Sequence, residues 1–135
     1  MIESSSTPDM SGTILVIDDE PYILRSLSYL LQREGYSVET ATNGAEALLQ
    51  LELARPDVMV LDLLMPAMHG WAFMETYLDR TNGQAIPIVV VSVNPALPRS
   101  YNRLGVRQIV SKPFDVELLL EAVEHASARG QREVA

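Results

Sequence analysis

Five short strand-like runs, four of them followed by residues at helical spacing, constrain the fold of this chain more than any other feature. The runs are Thr13–Ile17, Tyr36–Ala41, Asp57–Leu61, Ile86–Val91 and Val106–Val110. Val58-Met-Val-Leu61 is apolar on both pleat faces, as expected of a parallel strand covered by helices on two sides. Between the runs, Ile23, Leu27, Leu30 and Leu31 recur at helical intervals from Pro21 to Gly35. Ala47, Leu48 and Leu51 do so after Asn43-Gly44, and Trp71, Met74 and Leu78 do so within 67–80. Val116, Leu119, Leu120 and Val123 follow Asp115 in the same way. Pro21 suits a first helical turn, with Asp19 or Glu20 as its cap, and Asp115 suits the cap of the last helix. Residues 93–105 carry Pro95 and Pro98, and they predict a delayed, short fourth helix closed by Gly105. Strand and helix alternating in this way predict a parallel sheet with helices on both faces.

The rest of the composition narrows the function more than the fold. A chain of 135 residues is expected to form one domain. Residues 1–12 are small and polar and read as a flexible leader, and 130–135 read as a short polar tail. There is no cysteine, which excludes a disulfide framework, a thiolate metal site and a cysteine nucleophile. No apolar run approaches the roughly 20 residues that span a bilayer. The N-terminus lacks the basic-then-apolar order of a signal peptide, so a cytoplasmic protein is expected. Eighteen acidic against ten basic residues give a net charge of −8. Such a surface repels a phosphate backbone and argues against direct nucleic-acid binding.

Polar residues suited to chemistry stand at the ends of four runs: Asp18 and Asp19, Asp62, Ser92 and Lys112. Each has an ordinary reading by itself, as a cap, a turn residue or a surface charge. In a parallel sheet, however, all carboxyl ends lie along one edge, where open α/β folds place their sites. If the first and third strands are neighbours, three carboxylates meet there. Their repulsion amounts to several kcal/mol, about 4 for each pair at an effective dielectric of 20, and a hard cation relieves it. Oxygen ligands suit Mg²⁺, with Mn²⁺ as a substitute. Lys112 adds a mobile positive charge and Ser92 a hydroxyl donor, both suited to phosphoryl oxygens. Together these residues support in-line phosphoryl transfer onto a carboxylate.

The ordered pieces Ile-Leu-Val-Ile-Asp18-Asp19-Glu-Pro, Asp57-Val-Met-Val-Leu-Asp62-Leu-Leu-Met-Pro-Ala-Met-His-Gly70, Val-Val-Val-Ser92 and Val-Ser-Lys112-Pro113-Phe114 resemble the receiver domain of two-component response regulators. The resemblance runs from Thr13 to Arg129, so residues 13–129 are expected to be the receiver domain. It implies a doubly wound, flavodoxin-like α/β sandwich of three layers, with five strands in the order 2-1-3-4-5 and five helices. It implies that Asp62 accepts a phosphoryl group from a sensor histidine kinase or phosphotransfer protein. Asp19, Asp62 and the backbone carbonyl of Leu64 would bind Mg²⁺, with Asp18 holding it through a water. Lys112 would pair with the phosphoryl group, and Ser92 would move to hydrogen-bond it and carry the signal to a downstream partner or output domain. The bond before Pro113 would be cis. Such a domain catalyses its own phosphorylation and dephosphorylation but is not a turnover enzyme.

Three departures from the family pattern bear on switching. Val93 follows Ser92 where a small residue is usual, and its β-branched side chain would crowd the phosphoryl pocket. Ile109 stands where the family's aromatic switch residue is usual. The Pro95–Pro98 segment would alter the partner face, through which several receivers form homodimers. These departures favour an alternative, a pseudo-receiver acting as a protein-interaction module without phosphorylation. An aspartyl-phosphate hydrolase is disfavoured, because Leu63, Leu64 and Met65 follow Asp62 where an acid–base group would be needed. His69 reads as a loop or first-turn residue, His125 as an exposed helix residue and Trp71 as helix packing.

Overall fold

The computed structural model describes residues 12–62, 70–81, 85–92 and 105–127. Five parallel strands, β1 (Thr13–Ile17), β2 (Ser37–Ala41), β3 (Val58–Leu61), β4 (Ile88–Ser92) and β5 (Val106–Ser111), form one sheet in the order β2-β1-β3-β4-β5. Four helices lie among the described residues: α1 (Pro21–Arg33), α2 (Gly44–Leu53), α3 (Gly70–Arg80) and α4 (Val116–Ala126). The expected fourth helix of five, the Ala67–His69 start of the third, residues 1–11 of the leader and the tail lie outside the described residues.

Alternate residues of each inner strand feed two separate cores, which explains why these strands read as unbroken apolar runs. Ile14, Val16, Val58, Val60, Val89 and Val91 meet Leu24, Leu27 and Leu31 of α1 and Leu119, Ala122 and Val123 of α4. Leu15, Ile17, Met59, Leu61, Ile88 and Val90 meet Ala47 and Leu48 of α2 and Phe73, Met74, Tyr77 and Leu78 of α3. The sandwich therefore has three layers and is doubly wound.

The boundaries follow local chemistry. The fourth strand begins at Ile88, two residues later than its apolar run, because Pro87 has no N–H for a ladder. Its carbonyl still accepts the Met59 N–H at 2.9 Å. Gly35 ends α1 with φ 97°, and the Gly35 and Tyr36 N–H groups bond back to the Gln32 and Leu31 carbonyls. Asn43 caps α2 by accepting the Glu46 N–H, and the Glu46 carboxylate reaches back to the Thr42 N–H. Asp115 caps α4 through Glu117 N–H at 2.8 Å. The expected cap of α1 needs correction: Glu20 holds the N-cap position, but its side chain makes no cap hydrogen bond. Asp18 Oδ1 instead accepts the Glu20 N–H at 3.0 Å.

The entry to β4 is tied down from α3. The buried Tyr77 hydroxyl donates to the Ile86 carbonyl and accepts the Ile86 N–H. Burial raises the Tyr77 pKa, against the lowering effects of that hydrogen bond and of Arg55. Gly105, at φ 95°, lies against the same segment, where a Cβ would stand 2.7 Å from the Ile86 carbonyl oxygen. β5 is an edge strand, and its pairing with β4 slips by one residue at Arg107, which is the extra residue between Val106 and Gln108.

Candidate functional site

β1 and β3 are direct neighbours in register, with Ile17 opposite Leu61. The residues that leave them, Asp18 and Asp62, therefore emerge side by side at the carboxyl edge of the sheet. Backbone bonds hold both in place: Asp18 N–H donates to the Ala41 carbonyl at 3.1 Å, and Asp62 N–H to the Ile17 carbonyl at 3.0 Å. Asp18 and Asp62 are buried, and Asp19 is partly so. Asp18, Asp19 and Asp62 each offer a carboxylate oxygen, and these oxygens lie within 4.8 Å of one another.

Lys112 reaches this group from the end of β5. Its backbone N–H bonds to the Ser92 carbonyl at 2.9 Å, which fixes the strand end beside β4. Its Nζ donates to Asp18 Oδ2 at 2.9 Å and stands 3.5 Å from Asp62 Oδ2. Glu20 Oε1 is a third acidic oxygen, at 3.8 Å. Burial acts to lower the Lys112 pKa. The Asp18 hydrogen bond and charge, with Asp62 and Glu20 behind them, outweigh it and hold the ammonium above its ordinary 10.5. Lys112 is the only lysine in the chain, a signal readable by count alone. The Lys112–Pro113 bond is cis.

Ser92 ends β4 completely buried, and its Oγ has no hydrogen-bond partner among the described residues. A buried hydroxyl in that condition costs about 1–3 kcal/mol. The structure thus brings together Asp18, Asp19, Asp62 and Lys112, with Ser92 at the end of the adjacent strand. Leu64, His69, Val93 and the Pro95–Pro98 segment lie outside the described residues, as does the side chain of Trp71. Ile109 is on β5, pairs with Val90 and is 40% exposed. His125 is exposed on α4. The side chain of Glu20 is the member that sequence reading assigned elsewhere, to a helix cap.

The donor set fits a hard divalent cation. The clustered ligand atoms are carboxylate oxygens, and the three carboxylates outnumber the one ammonium among them. A doubly wound parallel sheet with carboxylates and one ammonium at its carboxyl edge is the arrangement expected of a receiver domain. The profile of the family described as the response regulator receiver domain matches residues 14–124, and the chain belongs to that family. Receiver domains are signalling domains, not turnover enzymes.

PilH of Pseudomonas aeruginosa is 29% identical over 112 residues, covering 82% of this chain and 93% of that protein. Response regulator MprA of Mycobacterium tuberculosis is 37% identical over 113 residues, covering 82% of this chain and 48% of that protein. The chain thus spans about half the length of MprA. Among solved structures, the chemotaxis protein CheY4 of Vibrio cholerae matches with a TM-score of 0.76 and 31% identity, over 86% of this chain and 98% of that one.

Proposed function

We propose that this receiver domain accepts a phosphoryl group on Asp62 from a phosphohistidine of a sensor histidine kinase or phosphotransfer protein. The observation that carries this reading is the position of the chain's only lysine, 2.9 Å from Asp18 and 3.5 Å from Asp62. An Asp62 oxygen attacks phosphorus, a P–O bond forms, and the P–N bond to the donor imidazole breaks with its electron pair leaving on nitrogen. Lys112 moves from the carboxylates toward a phosphoryl oxygen, and Ser92 Oγ, which has no partner among the described residues, donates to another. Asp18, Asp19 and Asp62, with the Leu64 carbonyl, would hold Mg²⁺ or Mn²⁺. When bound, the cation supplies neutralisation of charge developing on the phosphoryl oxygens.

The phosphorylated state then acts on a downstream partner or output domain by a shift between two conformations. Residues 13–129 form the working unit in this reading, with 1–12 as a leader and 130–135 as a tail. Partners of this kind place the domain in the cytoplasm. No helix of the described residues is long and apolar enough to cross a membrane.

Intact mass after incubation with acetyl phosphate and Mg²⁺ tests the reading. The wild-type chain is expected to gain one phosphoryl group and the Asp62→Ala chain none. A wild-type chain that binds Mg²⁺ but gains no mass would instead support the pseudo-receiver.

A further inference from the structure

We infer that Glu20 is a positioning residue, holding the Lys112 ammonium toward the exposed mouth of the acidic site until a phosphoryl group takes it over. The inference rests on the phosphoryl-acceptor reading of Asp62. Three carboxylates share Lys112, and they differ in exposure. The side chains of Asp18 and Asp62 are 4% and 7% exposed, whereas that of Glu20 is 61% exposed. Glu20 is therefore the one acid of the three that lies at the rim and turns away at little cost. Its place in the chain supports this assignment. It occupies the N-cap of α1, yet it makes no cap bond, and its carboxylate lies 3.8 Å from Lys112 instead.

An exposed ion pair by itself is worth little. Here the cation is shared with the proposed nucleophile, so a small bias in its position acts on the reacting group. The Glu20 charge draws Lys112 outward and adds negative charge where an anionic donor must enter. Neutralising it removes a competitor for the ammonium, and a small anionic donor should then react faster.

The single lysine makes the test direct, because isotope-labelled lysine gives one ε-methylene signal, that of Lys112. In Glu20→Gln the side-chain order parameter of this methylene should fall below the wild-type value. Glu20→Asp, with its charge retained on a shorter arm, should lie between. In parallel, phosphorylation by acetyl phosphate with Mg²⁺ is followed by mass. Glu20→Gln should react roughly two- to fivefold faster at low ionic strength, the range expected of an exposed ion pair. The gain should close near about 1 M salt, where charges are screened within about 3 Å. Unchanged Lys112 relaxation in Glu20→Gln would overturn the inference, as would a rate gain that survives high salt. If the wild-type chain gains no phosphoryl mass, the acceptor reading fails, and the relaxation data still decide whether Glu20 holds the ammonium.

Discussion

Ser92 and Lys112 are the residues whose resting state departs most from what a stable domain needs. The buried Ser92 hydroxyl has no partner among the described residues; such a state is a cost, and it is tolerable where a later state supplies the acceptor. Ser92→Ala should therefore leave the unphosphorylated protein as stable as wild type, or more stable by up to about 1 kcal/mol, in urea denaturation. The same variant should weaken the conformational response to phosphorylation. A loss of more than about 1 kcal/mol at rest would show that the hydroxyl was already in use.

Lys112 is the opposite case, a cation over-supplied with partners. Lys112→Gln leaves two buried carboxylates without their ammonium and should cost about 2–4 kcal/mol in the absence of Mg²⁺, with less lost in its presence. The sign of its pH dependence follows from the raised pKa. Stability from the ammonium is fully present below 10.5 and is lost only as pH rises through the higher folded value. The wild-type minus Lys112→Gln difference should thus stay flat from about pH 6 to about pH 9. A difference that fades within that window would contradict the arrangement.

At the scale of the element, the inner strands were readable because they are buried on both faces and carry no alternation to confuse with a helix stripe. β4 shifted because Pro87 cannot donate to a ladder, although its carbonyl still pairs. The cap at Asp115 was readable because a short acceptor stands just before a helical pattern, whereas Asn43-Gly44 marked only the start of its helix. Glu20 takes the expected N-cap position but makes no cap bond, because a carboxylate at a helix start has two uses. The choice was made by Lys112, which is far away in sequence. The Tyr77 link between α3 and β4 also escaped sequence reading, since nothing local pairs a helix tyrosine with a backbone nine residues on. Tyr77→Phe removes the hydroxyl that bonds both the N–H and the carbonyl of Ile86 inside the core. It should cost about 1–3 kcal/mol, read as a lower urea midpoint with an unchanged slope. An unaffected midpoint would mean that the hydroxyl does not secure this junction.

At the scale of the whole molecule, alternation of strands and helices was enough for a parallel, two-sided sheet. The strand order needed the resemblance, because periodicity does not say which strands are neighbours. That order makes the site: β1 beside β3 brings Asp18 to Asp62, and β4 beside β5 brings Lys112 across Ser92. Four of the eighteen acidic residues of the chain, Asp18, Asp19, Glu20 and Asp62, gather at this edge, and one ammonium is set against them.

In the proposed function, Asp62 itself carries the phosphoryl group. Borohydride reduction of the chain after treatment with acetyl phosphate and Mg²⁺ converts an aspartyl phosphate to homoserine, which peptide mass spectrometry then locates. Homoserine at position 62, and at neither 18 nor 19, is the expected result. An unreduced Asp62 in a chain that has gained phosphoryl mass would contradict it.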